Sequence, residues 1–144
     1  MFIKPLIHQQ DFLTAFPVMK QLRPHLEDEQ QFIEKIQRMQ MQDYVLVAMI
    51  EADEIIGLAG YRIQENLLYG RFLYVDDLVV TESHRSSGCG ARLLHAVMEI
   101  AKQQNCHEFV LDTGLSMALA QKFYFRQGLL TQAIRFRNEL SQLV

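Results

Sequence analysis

The chain has 144 residues, a formal net charge of −3, 49% apolar residues and 22% charged residues. That is the balance of an ordinary globular domain, with chain enough to bury roughly two-thirds of its unfolded surface around one core. The weakly acidic charge gives no support for a nucleic-acid surface, which would show a basic stripe, and no apolar run approaches the ~18–20 residues of a membrane span. The N-terminus, Met1-Phe2-Ile3-Lys4-Pro5, has no signal-peptide apolar core, and the two cysteines, Cys89 and Cys106, match no zinc or redox spacing. The expectation is a cytoplasmic chain with reduced thiols, no metal, and neither nucleic acid nor membrane as partner.

Without internal repeats or linkers, residues 1–144 read as a single domain. Phe2 to Ile7 is a short strand limited by Pro5. Asp11 is placed to cap a helix in which Phe12, Phe16, Met19 and Leu22 share one face, and Pro17 within it predicts a kink or a late start. Arg23-Pro24-His25 breaks that helix. A second helix spans about Glu27 to Met41, with Glu27, Asp28 and Glu29 at its positive end and Phe32, Ile36 and Met39 on its apolar stripe. Tyr44 to Ile50 is a buried strand, and Glu51-Ala52-Asp53-Glu54 a hairpin turn. Ile55 to Gln64 returns as the next strand, where Gly57 and Gly60 mark a bulge or a close approach. After a turn at Asn66 to Gly70, a long strand runs from Arg71 to Val80, so three strands form an antiparallel meander.

The pattern then changes. Thr81-Glu82-Ser83-His84 leads into Arg85-Ser86-Ser87-Gly88-Cys89-Gly90, which opens a helix ending near Gln104, where Asn105 stops it. Leu94, Val97, Met98 and Ala101 form the apolar face of that helix. His107 to Asp112 is an apolar strand, and a strand–helix–strand crossover demands a parallel pair. A further helix covers about Ser116 to Arg126, stopped by Gly128 in a left-handed position. Leu130 to Phe136 reads as a last strand, with an apolar edge that is a candidate for homodimer pairing. The fold class is α/β, a mixed sheet flanked by about four helices.

A glycine-containing loop between a strand and a helix N-terminus binds anions. The first N–H groups of the helix have no intrahelical partner, and the positive end of the helix dipole points the same way. Gly88 and Gly90 lack a Cβ, so the backbone can curl around a phosphate. Asp76 and Asp77 are adjacent in a strand and are expected to point to opposite faces. An aspartate beside Val75 and Leu78 would be partly buried, its pKa raised toward the range of a general base.

Arg85-Ser86-Ser87-Gly88-Cys89-Gly90 resembles the Gln/Arg-x-x-Gly-x-Gly/Ala signature of the GNAT N-acetyltransferase superfamily. Ala120-Gln121-Lys122-Phe123-Tyr124-Phe125-Arg126-Gln127-Gly128-Leu129 resembles that family's Ala-x-x-Phe-Tyr-x-x-x-Gly-Phe segment. The order of elements from Phe2 to Phe136 is also the family's. The resemblance implies a GNAT-like acyl-CoA N-acyltransferase fold, with the mixed sheet splayed between its two parallel strands. It implies acetyl-CoA as co-substrate, with Arg85, Ser86, Ser87, Gly88, Cys89, Gly90 and Ala91 around the pyrophosphate and the backbone of Leu78, Val79 and Val80 along pantetheine. Tyr124 matches the general acid that protonates the leaving thiolate, and Asp76 the residue that relays the amine proton. Asp77, Arg23 and His25 are candidates for contact with the acceptor. Many family members carry a polar residue, often asparagine, after the fifth strand; here Thr113 or Ser116 would take its place on the cofactor. The implied activity is direct acetyl transfer, in a ternary complex, to a primary amine on a small molecule or a peptide. The alternative is a CoA-binding sensor or regulatory module without the chemistry.

Overall fold

The computed structural model describes residues 1–142. In chain order they form β1 (Phe2–Leu6), α1 (Gln9–Leu22), α2 (Glu29–Gln40), β2 (Tyr44–Glu51), β3 (Glu54–Asn66), β4 (Gly70–Val80), α3 (Cys89–Gln103), β5 (Glu108–Leu111) and α4 (Ala118–Arg126). The five strands lie in the order β1-β2-β3-β4-β5. The first three pairings are antiparallel, and β5 joins β4 in parallel after the α3 crossover. This is the expected mixed sheet with four α-helices.

Two compact units divide the described chain, one from Met1 to Leu111 and one from Asp112 onward. The first holds the whole sheet with α1, α2 and α3. Period-two alternation along the strands sends side chains to two separate cores. Leu46, Ala48, Ile50, Leu58 and Val79 pack with Phe12, Phe16, Met19, Phe32, Ile33 and Ile36 of α1 and α2. Val47, Met49, Ala59, Leu73 and Val75 pack instead with Leu93, Val97 and Ala101 of α3. Apolar burial on both faces of the sheet explains why β2 reads as a continuous hydrophobic run rather than an alternating one.

The turns follow their residues. Ala52 and Asp53 both have positive φ, as a two-residue hairpin turn requires. Asn105 (φ 60°) closes α3 and Gly128 (φ 89°) closes α4, each in the left-handed region. At each end the 6→1 and 5→2 bonds are made: Cys106 N–H to Ala101 O and Asn105 N–H to Lys102 O, Leu129 N–H to Tyr124 O and Gly128 N–H to Phe125 O.

Three expectations are corrected. Helix α1 runs from Gln9 to Leu22 with Pro17 inside it. Asp11 is not its cap but lies one turn inside, its Oδ2 accepting from the N–H groups of Ile7 (3.2 Å) and His8 (3.1 Å). Those bonds hold its carboxyl below the usual carboxylate range. Leu130 to Phe136 forms no strand: residues 129–139 have no regular secondary structure, and Leu130, Ile134 and Phe136 are exposed. An alternating pattern offers one face for burial, but a strand also needs a partner for its backbone groups, and the pattern does not supply one. The third correction concerns Asp76 and Asp77. A bulge sets Gly60 opposite Asp77 and Tyr61 opposite Val75, leaving Asp76 as the extra residue. The added residue breaks the alternation, and both carboxylates join one polar cluster on the α1 side of the sheet.

Candidate active site

The end of β4 is where the sheet opens. Parallel pairing with β5 runs from Phe72 opposite Glu108 to Val75 opposite Leu111 and stops there. Strand β4 continues to Val80, still paired with β3 on its other side. From Asp76 to Val80 one edge of the strand therefore has no neighbouring strand among the described residues. The Thr81 N–H donates to Ile56 O of β3 (2.9 Å). By alternation, Val79 turns its peptide groups to β3, while Leu78 and Val80 turn theirs to the open edge. The Val80 carbonyl is already used there by Arg85 Nε (3.1 Å).

The loop beyond Val80 is held from several sides. Glu82–His84 is a single 3-10 turn. His84 Nδ1 lies 3.1 Å from Thr81 Oγ1 and 3.0 Å from Ser83 Oγ, and its Nε2 lies 3.3 Å from Glu51 Oε2. That ties the loop to the β2–β3 hairpin. Ser87 Oγ donates to the His84 carbonyl and lies 3.1 Å from Cys89 Sγ. Cys89 is buried in the α3 core, so its side chain packs rather than reacts. Ser86 (φ 67°) and Gly88 (φ 83°) both take left-handed backbone, which curls the chain so that α3 starts at Cys89. A Cβ built on Gly88 would meet nothing within 4 Å, so the space beside the loop is open. No side chain caps α3, and among the described residues nothing accepts from the N–H groups of Gly88, Cys89, Gly90 or Ala91. A run of unpaired amides at a helix N-terminus, facing open space, suits a diphosphate. The edge of β4 that leads to it suits an extended amide chain. The residues present fit coenzyme A.

On the α1 face of the same strand lies the polar cluster. Arg23, just past the end of α1, reaches Asp77 Oδ1 with Nε (3.1 Å) and Nη2 (3.0 Å), and Nη2 also donates to the Asp76 carbonyl (2.9 Å). Tyr44 donates its hydroxyl to Asp77 Oδ2 (2.7 Å). Both oxygens of Asp77 are therefore engaged within the protein. Arg62 donates from Nε to Asp76 Oδ2 (3.1 Å) and from Nη1 to Gln42 Oε1 (3.2 Å), and stacks over the Tyr44 ring at 5.6 Å. Burial raises the pKa of Asp76 above the usual carboxylate range, helped by Asp77 and opposed by Arg62. Burial, followed by the Asp77 charge, lifts the Tyr44 phenol well above its ordinary value.

The structure thus brings Asp76, Asp77 and Arg23 together at the open end of β4. His25 is exposed in the turn that follows Arg23. Sequence reasoning missed Tyr44 and Arg62. The only signal for them was Gly60, whose added Cβ would lie 1.9 Å from the Tyr44 hydroxyl, so glycine there lets the ring cross β3. In the second unit, Thr113 is half-buried, Ser116 is exposed, and Arg135 bonds Asp112. Tyr124 on α4 is half-buried, edge-on to Phe123 at 5.3 Å, and burial raises its pKa. No cluster of metal-ligating side chains occurs among the described residues.

The chain is 28% identical over 138 residues to the uncharacterized N-acetyltransferase YhdJ of Bacillus subtilis (strain 168), covering 94% of this chain and 96% of that one. A solved putative acetyltransferase from Agrobacterium tumefaciens str. C58 superposes with a TM-score of 0.84 at 19% identity, covering 96% of this chain and 99% of that one. The structure of AAC(6')-Iy in complex with the bisubstrate analog CoA-S-monomethyl-acetylneamine gives 0.79 at 19% identity, covering 96% and 97%. A family model for the acetyltransferase (GNAT) family matches residues 9–129. With that match over most of its length, the chain belongs to the GNAT acetyltransferase family.

Proposed function

We propose that this protein transfers an acetyl group from acetyl-CoA directly to a primary amine. The observation that carries the reading is the bare edge of β4 from Asp76 to Val80, which ends at a loop of unpaired amides. The amides from Gly88 to Ala91 hold the diphosphate, each N–H donating to a charged acceptor, a bond about twice as strong as its neutral counterpart. Arg85, its Nε on the Val80 carbonyl and its side chain half exposed, turns its remaining N–H groups to the same phosphate. The peptide groups of Leu78 and the N–H of Val80 pair with pantetheine, and an amide of this edge donates to the thioester carbonyl oxygen as it gains charge. Thr113 or Ser116, after β5, takes the place on the cofactor of the polar residue that the family often carries there.

Transfer forms one carbon–nitrogen bond and breaks one carbon–sulfur bond, so one proton leaves the amine and one arrives at sulfur. Asp76 receives the first, directly or through water. Its raised pKa makes it a better proton acceptor than an ordinary aspartate. Tyr124 supplies the second. This assignment rests on its place in the Phe-Tyr motif and on a burial that keeps the phenol protonated. Asp77 holds Arg23 in place.

The test combines thermal melting with an assay over a panel of amines. Coenzyme A should raise the melting temperature, and at least one amine should release free thiol from acetyl-CoA. Tight binding without turnover on any amine would leave only a CoA-binding module, and no stabilisation by coenzyme A would remove the reading altogether.

A further inference from the structure

The charges beside the open strand cancel in pairs, and of the guanidinium donors left over those of Arg23 are the more exposed. Asp76 and Asp77 face Arg62 and Arg23. Arg62 is mostly buried, its Nε and Nη1 are both used, and its face covers Tyr44. Arg23 differs. Its backbone is fixed by the Arg23 N–H to Met19 O bond and by its own carbonyl accepting from Leu26. Its Nε and Nη2 are fixed by Asp77 and the Asp76 carbonyl. Nη1 has no acceptor among the described residues, and 42% of the side chain is open to solvent. A guanidinium held on one side and bare on the other is a prepared donor for an anion, because its ordering cost is already met by the fold.

We infer that the acceptor amine carries a carboxylate or phosphate a short spacer away from its nitrogen, and that Nη1 of Arg23 receives that anion. This rests on the reading of the β4 edge as the site of transfer. Because Nη2 bonds the carbonyl of Asp76, an anion on Nη1 sets its own molecule beside the residue assigned to take the amine proton. A cation at this position also disfavours the ammonium form of the acceptor, and only the neutral amine attacks. A polycationic acceptor would meet an arginine with no unpaired carboxylate beside it. The acids further along the chain, Glu27 and Glu29, lie on exposed side chains where water screens their charge.

The experiment compares four short amines with acetyl-CoA: 2-aminoethylphosphonate, β-alanine, ethanolamine and 1,3-diaminopropane. One or both anionic amines should exceed ethanolamine in kcat/KM by about tenfold or more, mostly through KM, and which of the two leads separates phosphate from carboxylate. Arg23→Gln should bring that ratio near one, and Arg23→Lys should restore only part of it, because an ammonium is not a planar fork. Calorimetric titration of the acetyl-CoA complex with 2-aminoethylphosphonate and β-alanine reads binding apart from chemistry. Binding that Arg23→Gln abolishes, with no turnover, upholds the anion site and removes the transferase reading. Turnover that favours ethanolamine or the diamine overturns the anion site and leaves transfer standing. Neither binding nor turnover of the anionic amines also overturns it.

Discussion

Gly60→Ala tests whether the Tyr44–Asp77 contact organises the α1 side of the strand. The Cβ it adds would stand 1.9 Å from Tyr44 Oη, 2.4 Å from Cζ and 2.7 Å from Cε1, so the ring has to move. Tyr44 is 2% exposed and cannot swing into water without leaving its packing. Moving it breaks a hydrogen bond to a carboxylate, worth about 1.5–3 kcal/mol, and adds a repacking cost of about 1–3 kcal/mol. Replacing glycine by alanine on ordinary backbone would otherwise stabilise by about 0.4–1 kcal/mol, since Gly60 is not among the positive-φ residues. The net is a loss of about 3 kcal/mol, or roughly 10 °C in Tm for a chain of this size. Differential scanning calorimetry measures it, with Tyr44→Leu as the second background because leucine lacks all three clashing atoms. In that background Gly60→Ala should cost less than about 1 kcal/mol. An unchanged Tm for the single variant, or the same cost in both backgrounds, would refute the close-approach argument.

Asp76 titrates above an ordinary aspartate, so in the window between the two pKa values the folded state binds more protons and stability falls as pH rises. Carbon-detected NMR of the carboxyl should show that order, and Arg62→Gln, which removes the main opposing charge, should move both the Asp76 titration and the acidic limb of kcat/KM to higher pH. Tyr124→Phe should leave coenzyme A affinity nearly unchanged while lowering kcat by about 10²-fold, and equal turnover would end the general-acid assignment. Gly88→Ala meets no steric neighbour, so its cost is backbone strain alone, about 1 kcal/mol by thermal melting, with weaker coenzyme A binding in the same titration. Asp11→Ala, which removes the acceptor for the Ile7 and His8 N–H groups, should cost about 1 kcal/mol near neutral pH. Because the Asp11 pKa is lowered in the fold, that difference should vanish as pH falls through its folded-state value.

The elements of the sheet and of α3 were legible because local rules decide them. Helical spacing in Leu94, Val97 and Ala101, left-handed residues at Asn105 and Gly128, and the loop from Arg85 to Gly90 are properties of short stretches, and the folded chain keeps them. Even Gly60 announced itself as an oddity within an apolar strand. What no local rule contained was the register between β3 and β4. One bulged residue reverses the side on which Asp76 falls, and register is a property of two strands together. Only the fold could bring Arg23, Tyr44 and Arg62, from one helix end and two other strands, to a pair of neighbouring aspartates. Pairing with a strand edge is likewise a tertiary matter, which is why Leu130 to Phe136 carries the pattern of a strand and forms none.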